Sequence, residues 1–408
     1  MNTMCRAHVF AVLFCLGYAL PGVALENEKK TTDTSSLASA LDVVLEKAIA
    51  EQRLVGGVVL VARKGNIIYS RAAGYADREN KKVMQENTIF RLSSVSKAFT
   101  SMAAAVLLQQ GKMHLDDPVT KWLPDFTPRL PDGTQPIITI QHLLSHTSGI
   151  DYMFSEPENG PYHKAGVSDG LENSSISLAE NVRRISSAPL LFQPGTSWQY
   201  SLSTDVLGAV IAEVSGLPLP GVIQELITRP LGMQDTGFSV TDRSRLAVPY
   251  YNAAPHPLPM KEEEHVTFGE MTFHYSPGRA LDPKAFPSAG AGMVGTAPEV
   301  LRLLETIRQG TPLVTSEIMK DMNSNRIGDH RAAPGAGFGL GWAVLVDPAE
   351  AKSPQSAGTL RWGGVYGHHW FVDPEKSLSV VILTNTAPEG IFGAIIDEVR
   401  DTVYAHLP

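Results

Sequence analysis

Strand-like runs lie near both ends of this chain, and a long, mainly helical stretch separates them. Near the beginning, residues 57–62 and 67–70 are apolar runs joined by the turn Lys64-Gly65-Asn66, the pattern of a hairpin. Four further strand-like runs lie near the end, at residues 338–346, 359–362, 369–372 and 378–384. Sheet elements at both ends, with helices between them, predict one sheet whose strands come from both chain ends.

Helical periodicity surrounds these strands. Apolar residues recur at helical spacing in residues 37–52, 300–309 and 391–404, beside the predicted sheet. Further helical patterns, at residues 96–110, 139–145, 203–215 and 219–231, alternate with loops rich in proline and glycine. Two irregular polar stretches, residues 152–181 and 250–283, are interpreted as surface loops that line a substrate entrance. The predicted fold class is α/β of the α+β type, an antiparallel sheet flanked by helices with a large, mostly helical insertion.

The domain organisation follows from this order of elements. We predict a signal peptide at residues 1–24. Residues 36–76 and 290–408 would form an α/β sheet domain, and residues 77–289 a helical domain with active-site loops. A ligand is expected in a cleft between the two parts.

The first 24 residues have the composition of a targeting segment. Arg6 and no acidic residue precede the apolar run 9–20, and the small residues of 21–24 end at Ala24. This is the pattern of a secretory signal peptide cleaved near Ala24, with an uncleaved anchor as the alternative. It predicts a periplasmic or secreted protein without a stable membrane anchor after cleavage. Both cysteines, Cys5 and Cys15, lie inside this segment, so the mature chain would have no cysteine nucleophile or thiolate metal site.

The overall composition excludes one class of partner. The 408 residues are 43% hydrophobic and 19% charged, which is ordinary for a globular protein. The formal net charge is −8 and no basic cluster interrupts it. Nucleic acid is therefore not expected as a partner.

Ser94 and Lys97 form a Ser-x-x-Lys pattern at the start of the helix predicted at residues 96–110. Residues three apart share a helix face, so Lys97 would lie one turn beyond the serine. A serine hydroxyl becomes an effective nucleophile when a neighbouring base takes its proton, and a partly buried lysine can serve as that base. The same pattern is also typical of a capped helix start with an exposed lysine. The catalytic interpretation therefore needs partners elsewhere in the chain.

Such partners are present, in a characteristic order. A proline-glycine turn at 194–195 leads to Tyr200 just before a helix, and three further motifs occupy residues 142–149, 231–233 and 337–342. Together with residues 90–100, these motifs extend over nearly all of the mature chain. The set resembles the serine β-lactamase and penicillin-binding protein superfamily. It is most similar to the class C β-lactamase-like branch, which contains D-alanyl-D-alanine peptidases and the family VIII carboxylesterases.

The resemblance implies roles for specific residues. Ser94 matches the nucleophile and Lys97 its helix partner. Tyr200 matches the tyrosine of the Tyr-x-Asn motif, which shares proton transfer as general base and then general acid. The segment Trp362-Gly363-Gly364 matches Lys-Thr-Gly on the strand beside the active site. The backbone N–H groups of Val365 and Ser94 would then form the oxyanion hole.

Two departures from the family pattern bear on substrate choice. Leu202 stands where the β-lactamase pattern has asparagine, and Trp362 stands where it has lysine. The lost polar groups would help to hold the amide side chain and carboxylate of a β-lactam or peptide. A tryptophan offers a flat apolar surface that suits a neutral acyl or alcohol group. We therefore predict substrate contacts from Leu202 and from Trp362, Gly363 and Gly364. Arg361 could attract an anion, although its side chain should lie on the opposite face of the strand from Trp362.

Among the branches named, the family VIII carboxylesterases match this combination best. The resemblance implies a serine hydrolase that cleaves small carboxylic esters through an acyl-enzyme on Ser94, with weak β-lactam hydrolysis or acyl transfer as side activities. It implies no metal and no organic cofactor, and a small-molecule ester or β-lactam-like substrate. The alternatives are a class C-type β-lactamase or D-alanyl-D-alanine carboxypeptidase, and a non-catalytic binding protein that kept the fold.

Two other patterns in the sequence do not predict a catalytic or metal site. Residues 166–170 match G-x-S-x-G, but that nucleophile motif needs a buried strand before it. The upstream run 156–161 contains two prolines and cannot be one. His146, His368 and His369 lack metal-ligand spacing. His146 is interpreted as part of a structural turn, and the other two histidines as flanking the cleft.

Overall fold

An antiparallel sheet of eight strands lies at the centre of the fold. The computed structural model describes residues 34–408, so the predicted signal peptide lies outside the described residues. In spatial order the strands of the sheet cover residues 336–338, 343–345, 360–364, 368–373, 378–384, 56–63, 66–77 and 82–83. Strands from the two ends of the chain meet where residues 56–63 pair with residues 378–384, with Val58 opposite Leu383. The predicted fold class is confirmed.

The elements follow one another in this order along the chain. The strands are β1 (Gly56–Arg63), β2 (Asn66–Asp77), β3 (Lys82–Val83), β4 (Phe90–Arg91), β5 (Tyr250–Tyr251), β6 (Leu258–Pro259), β7 (Glu264–Phe268), β8 (Met271–Tyr275), β9 (Val294–Gly295), β10 (Ala336–Phe338), β11 (Ala343–Leu345), β12 (Leu360–Gly364), β13 (His368–Asp373), β14 (Leu378–Thr384) and β15 (Thr386–Ala387). The α-helices are α1 (Ser35–Ala50), α2 (Ser96–Gln109), α3 (Ile140–Leu144), α4 (Pro161–Ala165), α5 (Leu178–Ser187), α6 (Ser203–Ser215), α7 (Leu219–Ile223), α8 (Ala297–Gln309), α9 (Ser316–Met322), α10 (Glu389–Phe392) and α11 (Ala394–Ala405).

Both faces of the sheet are covered, which explains the continuous apolar run of β1. Val58 and Leu60 pack into the larger core with α2, α6 and α8. Val59 and Val61 point the other way and pack against α1 and α11. Each fully buried side chain of this size contributes roughly 1.5–3 kcal/mol. Alternate side chains of β1 therefore pack against helices on opposite faces of the sheet.

All eight strands of the sheet come from residues 56–83 and 336–384, and most helices come from the sequence between them. Residues 34–408 form a single compact unit by their contacts. The division into a sheet domain and a helical domain stays a prediction. Within residues 34–408, no single helix has the length and apolar composition of a membrane span. The pair Ser203–Ser215 and Leu219–Thr228, bent by 78°, meets those criteria only when both are taken together.

Three local predictions were wrong. The strand predicted at 338–346 is a hairpin of β10 and β11, because the chain turns at Gly341, where φ is +126° and a Cβ would overlap the Ser101 side chain. The helix predicted at 391–404 is interrupted at Gly393, whose backbone is extended. The stretch 250–283 is not irregular, since it contains the β7–β8 hairpin with Glu264 opposite Tyr275.

Candidate active site

Ser94 lies in a tight turn immediately before α2. Residues Ser93–Val95 form a short 3-10 helix that leads directly into that helix. Ser93 has a φ of +43°, a left-handed conformation that non-glycine residues seldom adopt. Its buried hydroxyl accepts a hydrogen bond from the N–H of Tyr366, at 3.4 Å. The nucleophile turn is thereby tied to the segment that follows β12.

Lys97 lies one helical turn after the serine, as its spacing predicts. Its side chain is 1% exposed. The Nζ atom donates to the Ser94 Oγ at 3.3 Å and to the Gly290 carbonyl at 2.9 Å. These two contacts aim the amine at the serine hydroxyl and rule out the alternative of an exposed lysine at a helix start.

Tyr200 completes the group. Its hydroxyl donates to the Ser94 Oγ at 2.7 Å, and the Lys97 Nζ lies 4.7 Å from the centre of its ring. The Tyr200 oxygen is therefore close enough to the Ser94 Oγ to accept its proton without movement of any heavy atom. The structure therefore brings together the three side chains that the sequence predicted as catalytic.

A buried carboxyl group lies behind this arrangement, and no sequence motif predicted its role. Asp205, on α6, is fully buried. It accepts hydrogen bonds from the Gly290 N–H at 2.9 Å and from the Ser288 hydroxyl at 3.0 Å. Burial raises the pKa of Asp205, against the lowering effects of the Gly290 N–H and the Lys97 charge. The backbone of Gly290 thus donates its N–H to Asp205 and accepts from Lys97 through its carbonyl oxygen.

The end of β12 borders the same space. Strand β11 pairs only with Leu360 and Arg361 of β12, while residues 362–364 pair with β13 on the other side alone. The edge of β12 is therefore open beside Ser94. A Cβ on Gly364 would overlap the Leu92 carbonyl oxygen, which explains the requirement for glycine at this close approach.

Ser94, Trp362, Gly363 and Val365 all line a cavity of about 410 Å³. A cavity of this size suits a small ligand. The assignment of the Ser94 and Val365 N–H groups to an oxyanion hole stays a prediction, and their shared position on the cavity wall agrees with it.

The cavity is largely apolar. Its aromatic lining residues are Tyr152, Phe154, Tyr200, Phe273, Trp362 and Phe392. The rings of Trp362 and Tyr200 lie 5.0 Å apart, so the tryptophan forms a wall directly beside the proposed proton-transfer group. Neutral parts of a substrate are the groups that such a wall favours.

Two of the predicted substrate-contact residues do not line the cavity. Leu202 is 1% exposed and packs in the larger core, because it immediately precedes α6 and faces the helix bundle. It is not among the residues that line the cavity, and neither is Gly364. The structure therefore gives no support for a substrate contact by Leu202 or Gly364. Of the predicted substrate-contact residues, Trp362 and Gly363 line the cavity.

Sequence reasoning also missed several lining residues. Tyr152 is nearly buried, with its ring 5.1 Å from that of Tyr200 and 5.4 Å from the Lys97 Nζ. Asp169 belongs to the G-x-S-x-G pattern that was set aside, and its carboxyl oxygens accept from the N–H groups of Met153 and Phe154. Burial raises the pKa of Asp169 well above its usual range. The irregular loops that contain these residues do border the cavity.

The histidines have separate positions. His146 adopts a left-handed turn with φ +57° and shares a hydrogen bond with the Ser201 hydroxyl at 3.0 Å. His369 lines the cavity, whereas His368 is buried and contacts the Arg91 carbonyl at 2.8 Å. Across residues 34–408, no group of three or more histidine, cysteine or acidic residues has the arrangement of a metal site.

Comparison with known proteins agrees with this geometry. The sequence matches the family described as beta-lactamase over residues 41–403. The chain belongs to the β-lactamase family. It is 47% identical to Esterase EstB of Burkholderia gladioli, over 95% of this chain and 100% of that protein.

Comparison with solved structures gives the same fold. The fold is similar to that of EstCE1, described as a hydrolase with promiscuous acyltransferase activity, with a TM-score of 0.90 and 49% identity over 91% of this chain and 99% of the other. The unliganded selenomethionyl simvastatin synthase LovD of Aspergillus terreus has a TM-score of 0.71 at 20% identity, over 92% and 99% of the two chains, and shows the shared fold alone. The resemblance inferred from the sequence motifs is confirmed.

Proposed function

We propose that this protein is a serine carboxylesterase that cleaves small carboxylic esters through an acyl-enzyme on Ser94. The observation that carries the proposal is the contact of the Ser94 hydroxyl with both Lys97 and Tyr200, at a position where Ser94 and Tyr200 line an apolar cavity. The similarity of the chain to EstB, an esterase, and to EstCE1, a hydrolase, supports the same conclusion.

The reaction begins with the proton of Ser94. Tyr200, as phenolate beside the Lys97 ammonium, accepts that proton while the Ser94 Oγ attacks the ester carbonyl carbon. The N–H groups of Ser94 and Val365 stabilise the tetrahedral oxyanion. Tyr200 then returns the proton to the departing alcohol oxygen, and the acyl group remains on Ser94. Water repeats the sequence in reverse, which releases the acid and restores the serine.

Acyl transfer is a natural side reaction of this site. An alcohol that occupies the apolar cavity in place of water would attack the same acyl-enzyme, with Tyr200 again accepting the proton. The description of EstCE1 as a promiscuous acyltransferase supports this possibility. The balance between water and alcohol then depends on how well the aromatic wall around Trp362 retains the alcohol.

A β-lactamase or D-alanyl-D-alanine carboxypeptidase is the second candidate, because the chain shares the family of those enzymes. The replacement of the family lysine by Trp362 removes one cationic group that would hold the carboxylate of such substrates.

We also propose that the protein is exported to the periplasm or secreted, on the strength of the signal-like sequence of residues 1–24.

The discriminating experiment compares 4-nitrophenyl butyrate with a chromogenic cephalosporin, using the mature chain and its Ser94→Ala variant. We expect kcat/KM for the ester to exceed that for the cephalosporin, and loss of both activities in the variant. Intact-protein mass spectrometry during ester turnover should detect an added butyryl group, and peptide mapping should place it on Ser94. A cephalosporin preference of several orders of magnitude would support the second candidate instead.

A further inference from the structure

Arg361 and His369 also line the cavity, although they lie on the other face of the sheet from Trp362. Arg361 is paired with Phe371, and Trp362 with Trp370. Phe371 packs into the core beneath α1 and α11, whereas Trp370 belongs to the larger core around α2. Paired residues of neighbouring strands point to the same face. Arg361 therefore faces α11, as strand alternation predicts, and the cavity nevertheless reaches it.

The open edge of β12 explains how one cavity contacts both faces. Pairing with β11 stops at Arg361, so no strand covers the edge beyond it. The next position on the Arg361 face is Gly363, where a Cβ would come within 3.3 Å of the Ile391 side chain. The missing side chain lets the short helix α10 pack closely against β12, and Ile391 and Phe392 of this helix line the cavity. The same cavity is lined by Ser94 and by Arg361.

Among residues 34–408, the guanidinium of Arg361 has no hydrogen-bond or ion-pair partner. It is partly buried, and burial lowers the pKa of Arg361, with a further lowering from Arg400 and an opposing effect from Asp397. Asp397 itself accepts from the Arg400 Nη1 at 2.6 Å, and Asp401 accepts from the Arg400 Nε at 2.7 Å. The nearby carboxylates are thus engaged with Arg400.

His369 lies next to this cation. Burial lowers the pKa of His369 to about 3, and the charges of Arg361 and Arg400 act in the same direction. The imidazole is therefore neutral at physiological pH and supplies one N–H donor. A guanidinium in partly apolar surroundings is stabilised most by a carboxylate, which it can bind through two parallel hydrogen bonds.

We propose that Arg361 and His369 form a binding subsite for a carboxylate at the distal end of the substrate. The preferred substrates would then be half-esters of dicarboxylic acids, with a neutral ester group beside Trp362 and an anionic end at Arg361. This inference rests on the ester hydrolysis proposed above and specifies the substrate class of the same site.

The test uses a matched pair of esters, monoethyl adipate and ethyl hexanoate, which have acyl chains of equal length and differ in the terminal carboxylate. We expect Arg361→Gln to lower kcat/KM for monoethyl adipate by about tenfold to hundredfold, the usual strength of a hydrogen-bonded charge pair. Turnover of ethyl hexanoate should change less than about twofold, and Arg361→Lys should recover part of the lost adipate activity. A series of half-esters from succinate to sebacate should show one optimal length, since the ester and the carboxylate must reach Ser94 and Arg361 together.

A matched control removes an exposed arginine far from the cavity. Arg229 is 61% exposed and pairs with Glu225, so Arg229→Gln tests the effect of net charge alone and should leave both esters unaffected. Equal losses on the two esters in Arg361→Gln, or no loss on monoethyl adipate, would overturn the subsite while leaving the esterase function intact. A wild-type enzyme that cleaves neither ester would instead overturn the proposed function and this inference with it.

Discussion

Tyr200→Phe is the most direct test of the proposed proton transfer. The substitution removes only the hydroxyl that lies 2.7 Å from the Ser94 Oγ. Lys97 remains 3.3 Å from the same oxygen, so the serine keeps one basic neighbour at a poorer distance. The ring also remains, 5.0 Å from Trp362 and 5.0 Å from His146. The variant therefore separates proton transfer from the shape of the cavity.

The expected size of the effect follows from these contacts. A positioned general acid or base contributes about 10²- to 10⁴-fold to the rate, so we expect kcat for 4-nitrophenyl butyrate to fall by about that factor. KM should change little, because the aromatic wall that meets the substrate is unaltered. One lost hydrogen bond is worth about 1 kcal/mol of net stability, so the free energy of unfolding should fall by no more than about that amount. Steady-state kinetics and urea denaturation measure the two quantities.

Tyr69→Phe provides the matched control. The Tyr69 hydroxyl donates to Asp42 at 2.8 Å, between β2 and α1 and away from the cavity. This variant loses a comparable hydrogen bond and should keep full activity. A loss of less than about tenfold in both the acylation rate and kcat of Tyr200→Phe would refute Tyr200 as the proton-transfer group and leave Lys97 to act alone.

Two further predictions concern His368 on β13 and Gly363 on β12. Burial lowers the pKa of His368 to about 4, below the ordinary value near 6.5. The unfolded chain therefore binds a proton that the folded chain does not as pH falls from about 6.5 to about 4, and the fold loses roughly 3 kcal/mol over that window. Urea unfolding at pH 7 and pH 4 should show the wild type losing about that much more than His368→Gln. In Gly363→Ala, the new Cβ would lie 2.5 Å from the His368 carbonyl oxygen, so we expect loss of esterase activity and a lower melting temperature. Gly237→Ala, where nothing lies within 4 Å, should behave as wild type, and an active Gly363→Ala would contradict the close packing at β12.

The fold was largely predictable because its main signals are local. The apolar run of β1 and the helical spacing of α1 identify both elements before any tertiary contact is known. The β7–β8 hairpin was not predicted because its first strand begins at Glu264, the last residue of the acidic run 262–264, and neither strand is strongly apolar. The turn at Gly341 was not predicted because the residues on both sides of it are apolar, as in a buried strand.

The site was predictable only in part. The spacing of Ser94 and Lys97 is a local signal, but the roles of Tyr200 and Trp362 came from the resemblance to a family. Asp205 could not be singled out, since its importance arises from burial beside Gly290, a contact between residues far apart in the chain. Leu202 was expected at the substrate because it matches a motif position, yet its side chain turns into the core.

The described site is assembled from distant parts of the chain. Ser94 and Lys97 lie near the start of the mainly helical region, Tyr200 lies about a hundred residues further on, and the strand edge beside them ends at Gly364. A ribosome must therefore complete most of the polypeptide before any ester can be cut, and a product truncated before β12 would be inert. The measured activity is thus proportional to the number of completely folded chains. An activity assay can therefore report refolding yield and the effect of chaperones.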